Sequence, residues 1–238
     1  MNSAVPPPAG KIFSGKATFD SRRCAGSVRQ RSMGYFPFFV ELSGQPGLIV
    51  GGGTVALRKV EKLLPYGPRL TVVSPALLPE LEAIPGLTLL RRAFSPQDLD
   101  EVFFVVAATD DQNLNREISA LCRERRIPVN VVDDREACSF LFPALVRHGD
   151  LSVGISTGGA SPTAAIWLKE QVERLLPERF DEILEWLEGQ RSGLKEACPL
   201  ERQRSRIFAQ LFAACLDQGG PLTDEQMENI LQGEESFQ

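Results

Sequence analysis

Apolar residues cluster into short runs separated by polar stretches with helical spacing, and the spacing alternates along the first half of the chain. Residues 48–50 (Leu-Ile-Val) form a buried strand that runs into Gly51-Gly52-Gly53, and residues 55–64 carry a period near 3.6 that predicts a helix. Pro65-Tyr66-Gly67-Pro68 stops that helix, and residues 69–74 read as a second strand with Leu70, Val72 and Val73 apolar. Residues 87–90 predict a third strand and 102–109 a continuous apolar fourth strand. Leu114, Ile118 and Leu121 then place a helix over 113–126, followed by a fifth strand at 129–132. Strands alternating with helices imply a parallel sheet with right-handed crossovers, and residues 36–42 are expected to pair at its edge.

The pattern changes after residue 139. Residues 140–146 and 151–156 predict two strands joined across His148-Gly149-Asp150, a hairpin in place of another strand-helix repeat. Ser161-Pro162 marks a helix start, and the helix over 164–176 has an apolar face through Ala165, Ile166, Leu168, Val172 and Leu175. Further helices are expected near 178–190, 200–217 and 223–232. The predicted fold class is α/β: a Rossmann-type parallel sheet over 33–145, a small dimerisation hairpin region over 146–176 and a helical domain over 177–238. A hairpin and four helices offer little sheet to cover their apolar faces, so a homodimer is expected.

Composition narrows the class. The 238 residues are 43 % hydrophobic, enough for real cores, and no apolar run reaches the roughly 20 residues that span a bilayer, so no membrane partner is expected. Five cysteines, far apart and odd in number, argue against a disulfide framework and a structural zinc site and fit a reducing cytoplasm. The net charge of -5 gives no nucleic-acid signature. Residues 1–32 hold Lys11, Lys16, Arg22, Arg23, Arg29 and Arg31 against Asp20, together with Pro6, Pro7 and Pro8. They have no periodicity and no secretory core, superficially resemble a transit peptide, and read as a disordered extension, with the working protein starting near Met33.

Candidate chemistry sits where the strands end. The strand, glycine turn and helix at 48–64 form a phosphate cradle: Gly51 for the tight turn, Gly53 for close approach of a pyrophosphate, Ala56 for helix-strand packing, and the free N–H groups of the helix start toward the phosphates. The acid that usually accepts from a ribose is missing after the second strand, which ends Val73-Ser74-Pro75-Ala76, leaving Ser74 as a ribose partner or an ordinary strand-end serine. The fourth strand ends Thr109-Asp110-Asp111, where Asp111 is equally read as a helix cap, and the fifth ends Asp133-Asp134. Asp133 precedes no helix to cap and is the preferred acid-base group. Ser156-Thr157-Gly158-Gly159-Ala160-Ser161 is a second glycine-rich turn able to offer N–H groups to an anion, with a flexible capped connection as the plain alternative. Arg58, Lys59, Arg135, Arg147 and Lys169 are candidates for an anionic substrate, Arg135 first because it adjoins Asp133; His148 reads as an exposed turn residue.

Residues 36–42, the glycine turn through Arg58-Lys59, Ala107-Ala108-Thr109-Asp110-Asp111, Asn130-Val131-Val132-Asp133, Ser139-Phe140 and the turn at 156–162 together resemble the precorrin-2 dehydrogenase family, the amino-terminal module of siroheme synthases. The resemblance runs from about 35 to 176 and more loosely beyond. It implies NAD-dependent oxidation of precorrin-2 to sirohydrochlorin, in some members with ferrous iron insertion as a ferrochelatase, iron being a substrate. It also implies a dimer, Asp133 as general base, and nucleotide contacts at Gly53, Thr54, Val55, Pro75, Ala76 and Thr109. With the residue reading, the cofactor set is Gly51, Gly53, Thr54, Val55, Ser74, Pro75, Ala76, Thr109 and Asp110; the substrate set is Arg135, Thr157, Gly158, Gly159 and Ser161. In this family the acid after the second strand is typically absent. A serine phosphorylated in some members is matched by Thr157, and no methyltransferase segment is expected, so the likeness is to the stand-alone form. A NAD(H)-sensing module without catalysis, or a dehydrogenase of a small hydroxy acid or imine, is the alternative on the residues alone.

Overall fold

The computed structural model describes residues 35–235; the expectation for 1–32 lies outside them. Five parallel strands form one sheet: β1 (Pro46–Val50), β2 (Arg69–Val73), β3 (Thr88–Leu90), β4 (Phe104–Ala107) and β5 (Val129–Val131), in the order β3-β2-β1-β4-β5. β1 is central, with Val50 in register with Val73 on one side and Ala107 on the other. The order reverses direction beside β1, which creates the crevice where open α/β sheets bind ligands.

Alternation along each strand builds a core on both faces. Leu48, Val50, Val105 and Val129 pack with Ile118 and Cys122 of α3 (Gln112–Glu124). Ile49, Val72 and Val106 pack on the opposite face with Ala56 and Val60 of α1 (Thr54–Leu63) and Leu81 of the single-turn α2 (Pro79–Glu82). Because successive side chains point to opposite faces, a strand covered on both sides reads as an unbroken apolar run.

The predicted edge strand at 36–42 is not present. These residues take no strand conformation and pair with none of the sheet, and Phe36, Phe38 and Phe39 are largely exposed. The apolar run alone suggested a strand, but Pro37 lacks a ladder donor and few of its side chains find cover within the chain. Only Leu42, at its end, packs against the sheet core.

β6 (Ala144–His148) and β7 (Leu151–Ile155) form the expected hairpin, antiparallel with His148 opposite Leu151, although β6 begins later than residue 140. α4 (Pro162–Leu175) packs on this hairpin. α5 (Phe180–Ala197), α6 (Glu201–Gln218) and α7 (Asp224–Glu235) follow, with a core of their own made by Ile183, Leu194, Ile207, Leu211 and Cys215. No helix among the described residues is long and apolar enough to cross a membrane.

Candidate active site

The carboxyl ends of β1, β2, β4 and β5 converge on one edge. Gly51 N donates to Val73 O at 2.9 Å, Ala108 N to Val50 O at 2.8 Å and Val132 N to Ala107 O at 3.0 Å, so the exits from these strands stay in register past the sheet. Asp133 therefore leaves the sheet two strands from the glycine turn, the axes of those strands lying about 10 Å apart.

Gly51 has φ +123°, and a Cβ there would lie 2.2 Å from Ala108 O. Gly52 is constrained from the other side: a Cβ would fall 2.0 Å from Ala76 O and 2.9 Å from Ser74 Oγ. Gly53 is different, since nothing lies within 4 Å of its Cβ position. Two glycines thus close the turn onto neighbouring backbone and the third leaves its outer side open. Gly53 caps α1 without a side-chain hydrogen bond, so the N–H groups of the exposed first turn point into open space at the positive end of the helix. These residues fit the pyrophosphate of a dinucleotide, by backbone donors and an unobstructed approach. Ala56 is fully buried against the sheet.

Around this turn, Ser74 is buried behind Gly52, while Pro75 and Ala76 are exposed. Thr109 is fixed by Asn115, a residue without a role in the sequence reading. Thr109 N and Oγ1 donate to Asn115 Oδ1 at 3.2 and 2.7 Å, and Asn115 Nδ2 donates back to Thr109 O at 2.9 Å. Asn115 is fully buried on the face that also carries Ile118 and Cys122. A polar residue on the apolar stripe of a helix was the available signal. Asp111 caps α3, accepting from Asn113 N and Leu114 N at 2.9 and 3.2 Å, while Asp110 stays exposed.

The paired aspartates separate cleanly. Asp134 accepts from Arg116 Nε at 2.9 Å and Ala137 N at 3.2 Å, and the Arg116 guanidinium is the main reason its carboxyl sits below the usual range. Asp133 is exposed, takes no part in the salt bridges among the described residues, and adopts the left-handed conformation at φ 60°. A non-glycine residue there costs about 1 kcal/mol or more, though aspartate tolerates it better than most. The backbone turns Asp133 out of the strand line while Asp134 braces the loop.

The second glycine turn is folded onto itself. Gly158 N donates to Ser156 Oγ, Ala160 N to Thr157 O, Ser161 N to Thr157 Oγ1, and Thr157 Oγ1 to Ser161 O. Ser161 Oγ caps α4 by accepting from Ala164 N at 3.1 Å. Most N–H groups expected to greet an anion are thus engaged within the turn. What the turn does supply is a seat for Arg135, whose Nη1 lies 2.7 Å from the Cβ position of Gly159. The same guanidinium sits 5.7 Å from the Tyr35 ring centre. Arg135 therefore joins the Asp133 loop to the turn at 157–161. His148, expected as an exposed turn residue, instead ends β6 half-buried against α5, with Nδ1 3.6 Å from Asp181 Oδ1 and its ring edge-on to Phe180.

A parallel sheet with this strand order, a closed glycine turn and an uncapped helix define a dinucleotide-binding domain of the Rossmann class. Residues 38–144 match the family model described as "Putative NAD(P)-binding", and 148–175 match "Sirohaem biosynthesis protein central". The chain is 42 % identical over 195 residues to a siroheme synthase of Thioalkalivibrio sulfidiphilus, covering 81 % of this chain and 39 % of that protein. It is 37 % identical over 218 residues to siroheme synthase 1 of Serratia proteamaculans, covering 87 % and 46 %. The chain thus spans less than half the length of these curated relatives. Among solved structures it is similar to SirC, a precorrin-2 dehydrogenase, with TM-score 0.61 and 27 % identity over 84 % of this chain and 99 % of that one. The chain belongs to the siroheme-synthase and precorrin-2 dehydrogenase family.

Proposed function

We propose that this protein oxidises precorrin-2 to sirohydrochlorin with NAD as the hydride acceptor. The observation that carries the reading is the juxtaposition, at one sheet edge, of an open dinucleotide cradle at Gly53 and an outward-turned carboxylate at Asp133. The likeness to SirC over nearly all of that chain supports it.

Removing two hydrogens from a reduced tetrapyrrole means that one C–H bond breaks with hydride leaving, and a second proton goes to a base. Bound NAD supplies the hydride acceptor. Gly51, Gly52 and Gly53 would shape its cradle, the first turn of α1 would hold its phosphates, and Ser74, Pro75, Ala76, Thr109 and Asp110 would border it. Asp133 takes the proton, its exposed carboxylate being placed by the left-handed turn and the braced Asp134. Arg135, held over Gly159, offers charge to a substrate carboxylate, with Thr157, Gly158 and Ser161 shaping that wall. The same carboxylate suits removal of pyrrole protons during metal insertion, so ferrous iron as a second substrate belongs to the proposal as a separate arm.

A homodimer completes the picture. Ile166, Trp167, Leu168 and Leu175 of α4 are exposed, Trp167 at 57 % and Leu175 at 80 %, which leaves apolar surface on the module for a second copy to cover. The unpaired Cys122, Cys138, Cys198 and Cys215 suit a reducing cytoplasm.

The test is anaerobic incubation of precorrin-2 with NAD, following NADH and tetrapyrrole absorbance. Wild type should turn over, and Asp133→Ala should lose roughly 100-fold or more in kcat while keeping NAD affinity. Absence of sirohydrochlorin with wild type sinks the proposal. Sirohydrochlorin with ferrous iron tests the second arm independently.

A further inference from the structure

Lys59 lies on α1 six residues beyond Gly53, half-buried, with Nζ 3.8 Å from the centre of the Phe142 ring. Phe142 belongs to a row of rings, Phe104, Phe140 and Phe142, that runs from the sheet core to the start of the hairpin. The ring face attracts the ammonium and fixes where it stands. Among the described residues no ion pair includes Lys59, whereas Lys169 on α4 is paired with Glu173 at 3.1 Å. Lys59 is nevertheless electrostatically coupled to Asp133 and Cys138, both from the segment that follows β5. An ammonium has three donors, and a ring satisfies charge but accepts no conventional hydrogen bond.

We infer that Lys59 is a substrate-binding residue: its ammonium seats a peripheral carboxylate of the tetrapyrrole on the Phe142 side of Asp133. This rests on the reading that the cleft takes a polycarboxylate tetrapyrrole. Nucleotide phosphates would be the other anions nearby, but six residues of helix place Lys59 about 9 Å along the axis from the cradle, and its ammonium sits over Phe142, the ring next to the hairpin.

Titration gives the inference a second handle. Burial, and then the neighbouring Lys62 ammonium, push Lys59 down to about 8, while Cys138 and Asp133 pull the other way. A carboxylate arriving at Lys59 favours its charged form, so binding takes up a proton near that pH and weakens as the ammonium is lost.

The experiment measures equilibrium binding of sirohydrochlorin by fluorescence, in parallel with NAD binding, from pH 6.5 to 9.5. The proteins compared are wild type, Lys59→Met and Lys59→Arg. Met keeps the apolar stem over Phe142 and removes only the charge. It should weaken tetrapyrrole binding roughly ten- to hundred-fold at neutral pH, with NAD affinity unchanged. The wild-type alkaline loss of affinity should be flattened in Lys59→Met, and Lys59→Arg should bind well across the whole range because its guanidinium does not titrate there. Equal tetrapyrrole binding by wild type and Lys59→Met overturns the inference while leaving the proposed function standing. Weakened NAD binding alone assigns the ammonium to the nucleotide and overturns it too. A wild type that binds no tetrapyrrole removes the proposed function together with this inference.

Discussion

The two glycine-rich turns look alike as sequence, Gly51-Gly52-Gly53-Thr54 and Thr157-Gly158-Gly159-Ala160, and each leads from a strand into a helix. They differ in what happens to their polar groups. At the first turn no side chain caps α1, the helix N–H groups stay open, and two of the three glycines are pinned against the backbone of Ala108 and Ala76. At the second, Ser156, Thr157 and Ser161 side chains consume the donors, and α4 has its own cap. A loop of donors binds an anion only if the chain has not already satisfied them. The first turn leaves its donors free for a ligand; the second is a self-contained bracket that presents Arg135.

The harshest test of the first half of that contrast is Gly52→Ala. Its Cβ would meet backbone at 2.0 Å, and backbone cannot swing aside as the end of a side chain can. The expected result is a protein that folds poorly or binds NAD at least about 100-fold more weakly, read by thermal denaturation and NAD titration. Gly53→Ala separates space for the ligand from space for the fold. The free protein has room for that methyl, so the melting temperature should barely move while NAD binding weakens. If Gly53→Ala bound NAD like wild type, the open side of the turn would not be the phosphate side.

Ser161→Ala probes the second turn. Losing the cap at Ala164 N should cost about 1 kcal/mol of stability, seen in urea denaturation, with NAD affinity unchanged. A larger change in NAD affinity than in stability would show that the second turn also handles the nucleotide, and the contrast between the turns would fail.

Much of this was legible in the residues because periodicity reports burial directly. The five strands, the helix stops at Pro65 and Gly67, the hairpin and the Ser161 cap all follow from local pattern. The segment at 36–42 misled because an apolar run states that a surface wants cover without stating what supplies it. Gly52 escaped notice because its partner, Ala76 O, comes from another strand exit, a contact that no local pattern encodes. Asp133 and Asp134 were separable only in part: the lack of a helix after Asp133 pointed to it, but the Arg116 pairing that occupies Asp134 spans 18 positions. Among Arg58 and Lys59, adjacent bases on one helix, only the fold shows which is held by a ring.

The finest test compares the lysines on the helices that follow the two turns. Lys169 has a carboxylate partner and Lys59 has a ring, so Lys59 alone enters the folded state at a loss of hydration. Its proton affinity drops from the ordinary 10.5 to about 8 on folding. Between those values the unfolded chain binds more protons at this site than the folded one, and stability therefore rises with pH through that window. Burial of Cys122 raises its thiol to about 11 from 9.0, which makes the folded chain the better proton binder at the upper end and opposes the rise. The wild-type curve alone is ambiguous for that reason. Subtracting it from the Lys59→Met curve cancels the thiol contribution, and the difference should show wild type gaining relative stability from pH 8 to 10.5. The gain scales at about 1.4 kcal/mol for each unit by which folding lowers the lysine, and it is confined to this pH window. A flat difference curve would mean that Lys59 is as well hydrated as Lys169, and the two helices would then carry equivalent cations.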